Sequence, residues 1–313
     1  MGEVDVSIIF VNYKTNVLLQ DALKSVIEKS SGFSYEIIIV DNSQDEEEFS
    51  KLKALQKENV HLIDAKANLG FGKANNLGAK IAKGRYLYFL NTDTLLINNA
   101  IFLLKEYLDA HINVGVVGSN IYTKELKPNH SFFPIEKNLK GEKRMSSLLL
   151  ATKKKLGWNR PDFNYSDKPV ETKGYVCGAS LMIRKDVFNQ LGGFDKDIFM
   201  YAEESLLCYR VIHECNLKVV NVPSSKIIHF EGASFKGVTE WRAKTIADGN
   251  YIYYLKAFGK KEALKAMQYM KRLYFWKIQI SRFVNRPKHQ SYRFMHEAFK
   301  KKADEGRLEQ ILS

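Results

Sequence analysis

The chain contains few cysteines and few prolines and has no long apolar run. Its 313 residues include six prolines and three cysteines, Cys177, Cys208 and Cys215. Three cysteines are too few for a disulfide framework, so we interpret them as reduced core thiols of a cytosolic protein. No stretch approaches the roughly 18 apolar residues that span a bilayer, and residues 1–5 are too polar to begin a signal peptide. We therefore expect a soluble or peripheral protein.

Positive charge is concentrated at the C-terminal end of the chain. The formal net charge is +13, and residues 241–313 hold 17 Lys or Arg against 6 Asp or Glu. The first 240 residues are nearly balanced. Because the basic excess belongs to one end, it predicts an anionic surface as the partner of that end.

Strand and helix patterns alternate over the first 118 residues. Residues 6–11 and 36–40 are apolar apart from Ser7 and Glu36, which is typical of strands buried on both faces. Strands are predicted at 6–11, 36–40, 60–64, 85–90 and 114–118, and helices at 18–29, 49–57, 72–82 and 98–110. This alternation predicts an α/β fold with a doubly wound, mostly parallel sheet.

Residues 124–172 interrupt the alternation. Four of the six prolines fall here, together with the basic run 153–155 and Trp158. We interpret this segment as an insertion of substrate-specific loops that contains a short helix at 145–156. Regular structure resumes at 174–183, and a helix is predicted at 205–215.

Two predicted strands end on an acidic residue. Asp41 follows the second strand, and Asp93 follows the fourth within the polar triplet Asn91, Thr92 and Asp93. Open α/β sheets bind ligands at the carboxyl ends of their strands, so both acids indicate one pocket for a nucleotide and a divalent cation. In this interpretation Asn91 and Asp93 face the pocket and Thr92 faces away. The alternative for each acid is structural, as the cap of the helix that follows.

Three further segments carry candidate residues. A glycine-bearing loop with Asn68, Gly70, Lys73 and Asn75 leads into a helix, where it serves either as an anion-binding loop or as a structural turn. Glu203 and Glu204 begin a predicted helix, where a carboxylate is either a general base or a partner of the helix dipole. His229 ends a short apolar stretch and is a candidate metal ligand.

In their order and spacing these elements resemble family 2 glycosyltransferases, above all the bacterial rhamnosyltransferase branch. The resemblance rests on residues 6–13, 40–43, 68–72, 91–93 and 192–195, on the Glu203–Glu204 pair and on His229. It covers roughly residues 5–260. It implies a Rossmann-like GT-A fold and the inverting transfer of a sugar from a nucleotide donor.

The resemblance also implies roles for individual residues. Asp41 would bind the base or ribose, and Asp93 with His229 would hold Mn²⁺ or Mg²⁺ on the diphosphate. Glu204 would be the catalytic base, with Glu203 as the other candidate. The residues expected to bind the nucleotide sugar are Asn12, Asp41, Asn68, Gly70, Lys73, Asn75, Asn91, Thr92 and Asp93.

Three positions depart from the family pattern. Asn91 stands where many members have Asp, although Asn is frequent there in this branch. Glu204 replaces an Asp, which moves the carboxylate by about one C–C bond and leaves the choice between Glu203 and Glu204 open. Leu206 stands where many relatives keep another acid.

The expected reaction moves L-rhamnose from dTDP-rhamnose to a hydroxyl of a lipid-linked or oligosaccharide acceptor in bacterial cell-surface polysaccharide synthesis. A UDP-hexose donor is the alternative. Residues 1–240 would form the GT-A domain, with 124–172 as an acceptor-side insertion, and 241–313 a helical, basic C-terminal region. The expected location is cytoplasmic and peripheral, on the inner face of the cell membrane.

The C-terminal region mixes basic and interfacial aromatic residues at helical spacing: Tyr269, Lys271, Arg272, Tyr274, Trp276, Lys277 and Arg282. Such a helix can lie on an anionic bilayer. The alternative is an ordinary helix docked on the catalytic domain, with formation of a homodimer. A nucleic-acid-binding module is the competing class, but no nucleic-acid motif appears, and we expect no such partner.

Overall fold

The first half of the chain alternates strands and helices, as predicted. We describe residues 4–146, 166–230, 238–284 and 286–311 of a computed structural model of the protein. In chain order the elements are β1 (Val6–Asn12), α1 (Asn16–Lys29), β2 (Tyr35–Asp41), α2 (Glu46–Leu52), β3 (Val60–Asp64), α3 (Phe71–Ile81), β4 (Tyr86–Leu90), β5 (Thr94–Leu96), α4 (Ala100–Ala110) and β6 (Val114–Tyr122). A 3₁₀ turn, Lys53–Leu55, follows α2.

The second half consists of short strands followed by long helices. The elements are β7 (Phe132–Phe133), α5 (Leu139–Met145), β8 (Val170–Thr172), β9 (Tyr175–Val176), β10 (Ser180–Arg184), α6 (Lys185–Gln190), α7 (Glu203–His213), β11 (Lys218–His229), α8 (Glu240–Phe258), α9 (Lys260–Val284) and α10 (Arg286–Ile311). Most of the helix predicted at 145–156 lies outside the described residues.

A nine-stranded mixed sheet forms the centre of the described structure. Its order is β3-β2-β1-β4-β10-β6-β11-β5, with β8 paired to β11. Six of these strands run in one direction, whereas β10, β5 and β8 run antiparallel to their neighbours. The α/β class and the mostly parallel sheet are therefore confirmed. The antiparallel insertion of β10 between β4 and β6 was not predicted.

Helices cover both faces of the sheet, which explains the apolar runs. In β1, Ile8 and Phe10 pack on the side of α1 and α4, whereas Ile9 packs on the side of α3, α6 and α7. The same division holds along β2, where Ile37 and Ile39 point to one face and Ile38 to the other. Strands with no solvent-facing side favour apolar residues on both faces, and the polar Ser7 and Glu36 are buried here as a hydrogen-bonded pair.

Helix α2 begins three residues earlier than predicted and also ends earlier. The side chain of Asp45 caps it by accepting hydrogen bonds from the backbone amides of Glu47 and Glu48. Acidic residues occupy its first turn, where the helix dipole favours them. The cap at Asp45, which the prediction of 49–57 did not use, sets the start of this helix.

The C-terminal helices build a third apolar cluster on the segment that precedes α7. Ile198, Ala202 and Leu206 pack there with residues of α8, α9 and α10. Gly249 of α8 lies so close to Tyr201 that an added Cβ would stand 2.1 Å from its carbonyl oxygen. Lys256 of α8 pairs with Asp195 and Asp197 at 2.7 and 2.6 Å. These contacts tie α8 to the segment that leads into Glu203 and Glu204. In the described ranges, no helix is long and apolar enough to cross a membrane.

Candidate active site

The candidate site lies where the parallel strands β1, β2 and β4 reach their carboxyl ends. Asn12 ends β1 and pairs in register with Asp41, which ends β2. Asn91 follows the last residue of β4, and its backbone amide bonds to the carbonyl of Ala179 beside β10. Neighbouring strands thus deliver the predicted polar side chains to one edge of the sheet.

Asp41 is buried and holds one carboxylate oxygen without a partner. Its Oδ1 accepts hydrogen bonds from Asn12 Nδ2 at 2.9 Å and from Ser43 Oγ at 2.7 Å. Its Oδ2 has no hydrogen-bond partner. Since a buried acceptor normally has a donor, this oxygen is suited to an N–H or O–H group of a ligand. The alternative of a helix cap does not hold, because Asp45 caps α2.

A chain of polar contacts joins Asp41 to the triplet after β4. Thr15 Oγ1 donates to Asn12 Oδ1 at 3.0 Å, and the hydroxyls of Thr15 and Thr92 lie 2.9 Å apart. Asn12 in turn bonds to Asp41. Thr92 therefore points toward β1, away from the side taken by its neighbours. Thr15 was not predicted, since a lone threonine after a strand has no distinctive pattern.

Asn91 and Asp93 face the same partner, His229. The Nε2 atom of His229 lies 3.2 Å from Asp93 Oδ1 and 3.5 Å from Asn91 Nδ2. Pairing of β5 with β11 and a bond from the Phe230 amide to the Asp93 carbonyl hold His229 in this position. Asp93 does not cap α4, whose N-cap position is Asn99.

The Asp93–His229 pair suits a divalent cation only in part. A carboxylate oxygen and an imidazole nitrogen are both usable ligands, and their side chains are only 14% and 12% exposed. Within the part of the chain that the structure describes, no group of three His, Cys, Asp or Glu could hold a metal ion. The pair therefore fits a cation that takes its remaining ligands from a bound phosphate and water.

The backbone amides of the glycine-bearing loop are used for hydrogen bonds within the protein. The amides of Leu69, Gly70 and Phe71 donate to Asn42 Oδ1, Asn68 Oδ1 and the Phe199 carbonyl, respectively. Gly70 has a φ of 79°, and an added Cβ would stand 2.1 Å from that carbonyl, so glycine is required there. These amides are not available to an anion, which favours the turn over the anion-binding loop.

The side chains of that loop differ in their accessibility. Asn75 is buried, and its Nδ2 donates to the Phe71 carbonyl at 3.1 Å within its own helix. The side chain of Asn75 is thus already engaged within its own helix, and its role in binding the nucleotide sugar stays a prediction. Lys73 is exposed in the first turn of α3, and Asn68 accepts from Asn42 Nδ2 at 3.0 Å. Sequence spacing did not show that the Asn75 side chain turns back toward its own helix.

Glu203 and Glu204 begin α7 after a strained stretch of backbone. Tyr201 and Ala202 have φ values of 70° and 75°, the left-handed region that non-glycine residues rarely adopt. Ala202 and Leu206 lie in the third apolar cluster, so packing by the C-terminal helices holds this conformation. Leu206 packs in this apolar cluster, which fits a leucine at the position where many relatives keep an acid.

The two glutamates lie in different environments. Glu203 is only 5% exposed, and its Oε2 has no hydrogen-bond partner. Burial, reinforced by the negative charge of Glu204, raises the pKa of Glu203 to about 8. Glu204 is less buried and lies beside Gly178, where an added Cβ would stand 3.6 Å from its Cβ. Of the two, Glu204 is thus the more accessible to a substrate.

We expect Glu203→Gln to stabilise the protein more at about pH 8 than at about pH 5. The pKa of Glu203 lies above its ordinary value of 4.5. Between that value and about 8, the folded state holds a proton that the unfolded state has lost, so the free energy of unfolding falls as pH rises. Glutamine stays neutral and removes this loss. Thermal unfolding of both proteins at the two pH values measures it, with the exposed Glu214→Gln as control. An equal shift in Tm at both pH values would contradict the raised pKa.

A lysine near the glutamate pair was also missed. Lys137 Nζ lies 3.5 Å from Ser205 Oγ, 5.6 Å from the ring centroid of Tyr175 and 5.0 Å from that of Tyr253. Lys137 belongs to the predicted insertion at 124–172, which thus reaches the candidate site. No residue pattern marked this lysine among the many in the chain.

Known proteins share parts of this sequence and its fold. The family model described as Glycosyl transferase family 2 matches residues 7–192. The low-salt glycan biosynthesis hexosyltransferase Agl10 of Haloferax volcanii is 29% identical over 218 residues, 67% of this chain and 62% of that protein. The rhamnosyltransferase WbbL of Escherichia coli is 24% identical over 168 residues, 51% of this chain and 61% of that protein.

A solved structure shares the fold. The crystal structure of GalNAc-T7 with UDP, GalNAc and Mn²⁺ aligns with a TM-score of 0.58 at 19% identity, covering 82% of this chain and 51% of that one. This likeness confirms the predicted GT-A fold. The chain thus spans about three fifths of the length of the two relatives and about half of the solved chain.

Proposed function

The chain belongs to glycosyl transferase family 2, and on this premise we propose that it is an inverting glycosyltransferase. It moves a sugar from a nucleotide donor to a hydroxyl of a glycan acceptor. The observation that carries this proposal is the polar edge at the carboxyl ends of the strands, where hydrogen bonds run from Asp41 through Asn12 and Thr15 to Thr92, and where Asp93, next in sequence, pairs with His229. Its two ends offer an acceptor for a nucleoside and a carboxylate–imidazole pair for a diphosphate-bound cation.

Each group has one task in the proposed reaction. Asp41 Oδ2 accepts a hydrogen bond from the base or ribose, and this bond orients the nucleotide sugar. Glu204 takes the proton of the acceptor hydroxyl as its oxygen attacks the anomeric carbon. The bond from that carbon to the diphosphate breaks on the opposite face, and the nucleoside diphosphate leaves with the bonding electron pair. One displacement of this kind inverts the anomeric configuration.

Asp93 and His229 are the proposed ligands of the divalent cation, Mn²⁺ or Mg²⁺. When bound there, the cation supplies positive charge against the departing diphosphate. The protein's own contribution is the position of the two ligands, which the β5–β11 pairing and the Phe230 amide hold together. Asn91 adds a neutral polar group to the same side.

We propose dTDP-rhamnose as the donor, with a UDP-hexose as the alternative. WbbL, a rhamnosyltransferase by name, supports the first choice, and Agl10, named a hexosyltransferase, leaves the second open. The proposed acceptor is a lipid-linked or oligosaccharide intermediate of bacterial cell-surface polysaccharide, met at the inner face of the cell membrane. We also propose that two copies of the chain form a homodimer.

The donor is tested by binding and hydrolysis of dTDP-rhamnose, UDP-glucose, UDP-galactose and UDP-N-acetylglucosamine, each with Mn²⁺, with Mg²⁺ and with EDTA. We expect metal-dependent hydrolysis to select dTDP-rhamnose and NMR to show an inverted anomeric centre. Preference for a UDP-sugar would keep the mechanism and overturn the rhamnosyl assignment. If no donor binds under any condition, the glycosyltransferase proposal itself fails.

A further inference from the structure

Helix α9 uses one face for folding and leaves another face that folding does not explain. On its inner side Ala263, Ala266, Met267 and Met270 are buried in the third apolar cluster. A helix of this kind normally carries polar residues on its opposite side. The outer face of α9 departs from that pattern.

We define the outer face by Lys261, Lys265, Arg272, Phe275, Trp276 and Ile280. Phe275, Trp276 and Ile280 are 45%, 63% and 54% exposed, and the two aromatic rings lie 5.7 Å apart. Since Arg272, Trp276 and Ile280 are spaced four residues apart, they lie in one row along the helix. The other large apolar side chains that are exposed within the described ranges are spread over several elements.

The charges around these apolar residues are mostly positive. Lys261, Lys265 and Arg272 are exposed, and α9 contains seven Lys or Arg against a single acid, Glu262. Glu262 is already paired with Lys265 at 2.6 Å. No carboxylate in the described ranges lies within 4 Å of Arg272. An exposed tryptophan and isoleucine beside an excess of cations match the headgroup level of an anionic bilayer, which takes apolar side chains below and cations above.

We propose that the outer face of α9 docks on an anionic phospholipid bilayer. Trp276 and Ile280 enter the boundary between headgroups and acyl chains, while Arg272, Lys261 and Lys265 contact the lipid phosphates. Nucleic acid would match the cations but leaves Ile280 without a partner. A second copy of the chain in an isologous pairing would set this face, with its cations, against itself. The inference uses no catalytic residue, and it deepens the membrane location given in the proposed function by naming the surface that would make the contact.

The test is vesicle flotation of the full chain, in which protein recovered with the vesicles is measured. Vesicles contain phosphatidylcholine alone or phosphatidylcholine with phosphatidylglycerol, at low and at high salt. We expect the wild type to be recovered with phosphatidylglycerol vesicles at low salt. For Trp276→Ser/Ile280→Ser we expect the recovered protein to fall about fivefold or more, because the variant lacks both apolar side chains that would enter the bilayer. Arg272→Gln should weaken recovery and reduce its dependence on salt.

Ile112→Ser is the matched control, because Ile112 is 81% exposed in the turn between α4 and β6 and undergoes the same chemical change as Ile280→Ser. Circular dichroism and thermal unfolding check that each variant is folded. The proposal fails if the double variant floats as well as Ile112→Ser, or if wild type floats equally with and without phosphatidylglycerol. It also fails if the double variant changes only the oligomeric state in size-exclusion chromatography. Donor hydrolysis without vesicles is measured in parallel and tests the proposed function separately.

Discussion

Glu204→Gln is expected to reduce turnover by about 10² or more while donor binding is kept. The substitution preserves size and hydrogen-bonding reach but removes the proton acceptor. Glu204 is the accessible member of the pair, and Gly178 leaves the space beside its side chain open. Steady-state turnover with acceptor, and calorimetric donor binding without it, measure the two parts of the expectation.

Two further variants make this result specific. Glu214→Gln changes the same chemical group just past the far end of α7, where Glu214 pairs with Arg210, and should leave turnover unchanged. Glu203→Gln changes the buried neighbour, whose raised pKa keeps much of it protonated near neutral pH and therefore makes it a poor base. Loss of turnover in Glu203→Gln with near-normal turnover in Glu204→Gln would transfer the role of base to Glu203.

The strands of the first half other than β5 could be predicted because their pattern is local. The predicted bounds of the strand at 60–64 agree with the observed ones. The strands predicted at 6–11 and 36–40 extend only slightly further in the structure. A run of apolar residues between polar turns needs no tertiary information. The position of β10 did need it, because its antiparallel pairing with both β4 and β6 depends on contacts far apart in sequence.

The candidate site could be predicted where strand geometry alone sets a direction. Asn91 and Asp93 were expected on one side and Thr92 on the other, and they lie so. Asn75 was not recognised as buried, because its amide turns back to a carbonyl of its own helix. The roles assigned to Asp41, Asp93, Glu204 and His229 remain predictions, which substitution of each side chain would test.

Asp93→Asn is expected to lower turnover by about 10²- to 10³-fold and to remove most of the dependence on divalent cations. Asparagine keeps the shape but loses the negative charge that a hard cation prefers. In the wild type, EDTA should weaken donor binding, because the diphosphate loses its bridging charge. In the variant, donor binding should be weak both with Mn²⁺ and with EDTA. Binding of Mn²⁺ itself, followed by electron paramagnetic resonance, gives a readout that does not depend on turnover.

Asp64→Asn is the control that separates a metal ligand from any acid at this edge. Asp64 ends β3 at the register position of Asp41, but it pairs with Lys66 at 2.7 Å. Its loss should leave cation dependence intact. His229→Ala should weaken Mn²⁺ binding less than Asp93→Asn does, and the double variant should be no worse than about the stronger single one, since the two residues act on one ion. Full cation dependence in Asp93→Asn would refute the metal site and return the Asp93–His229 contact to a structural role in the pairing of β5 with β11.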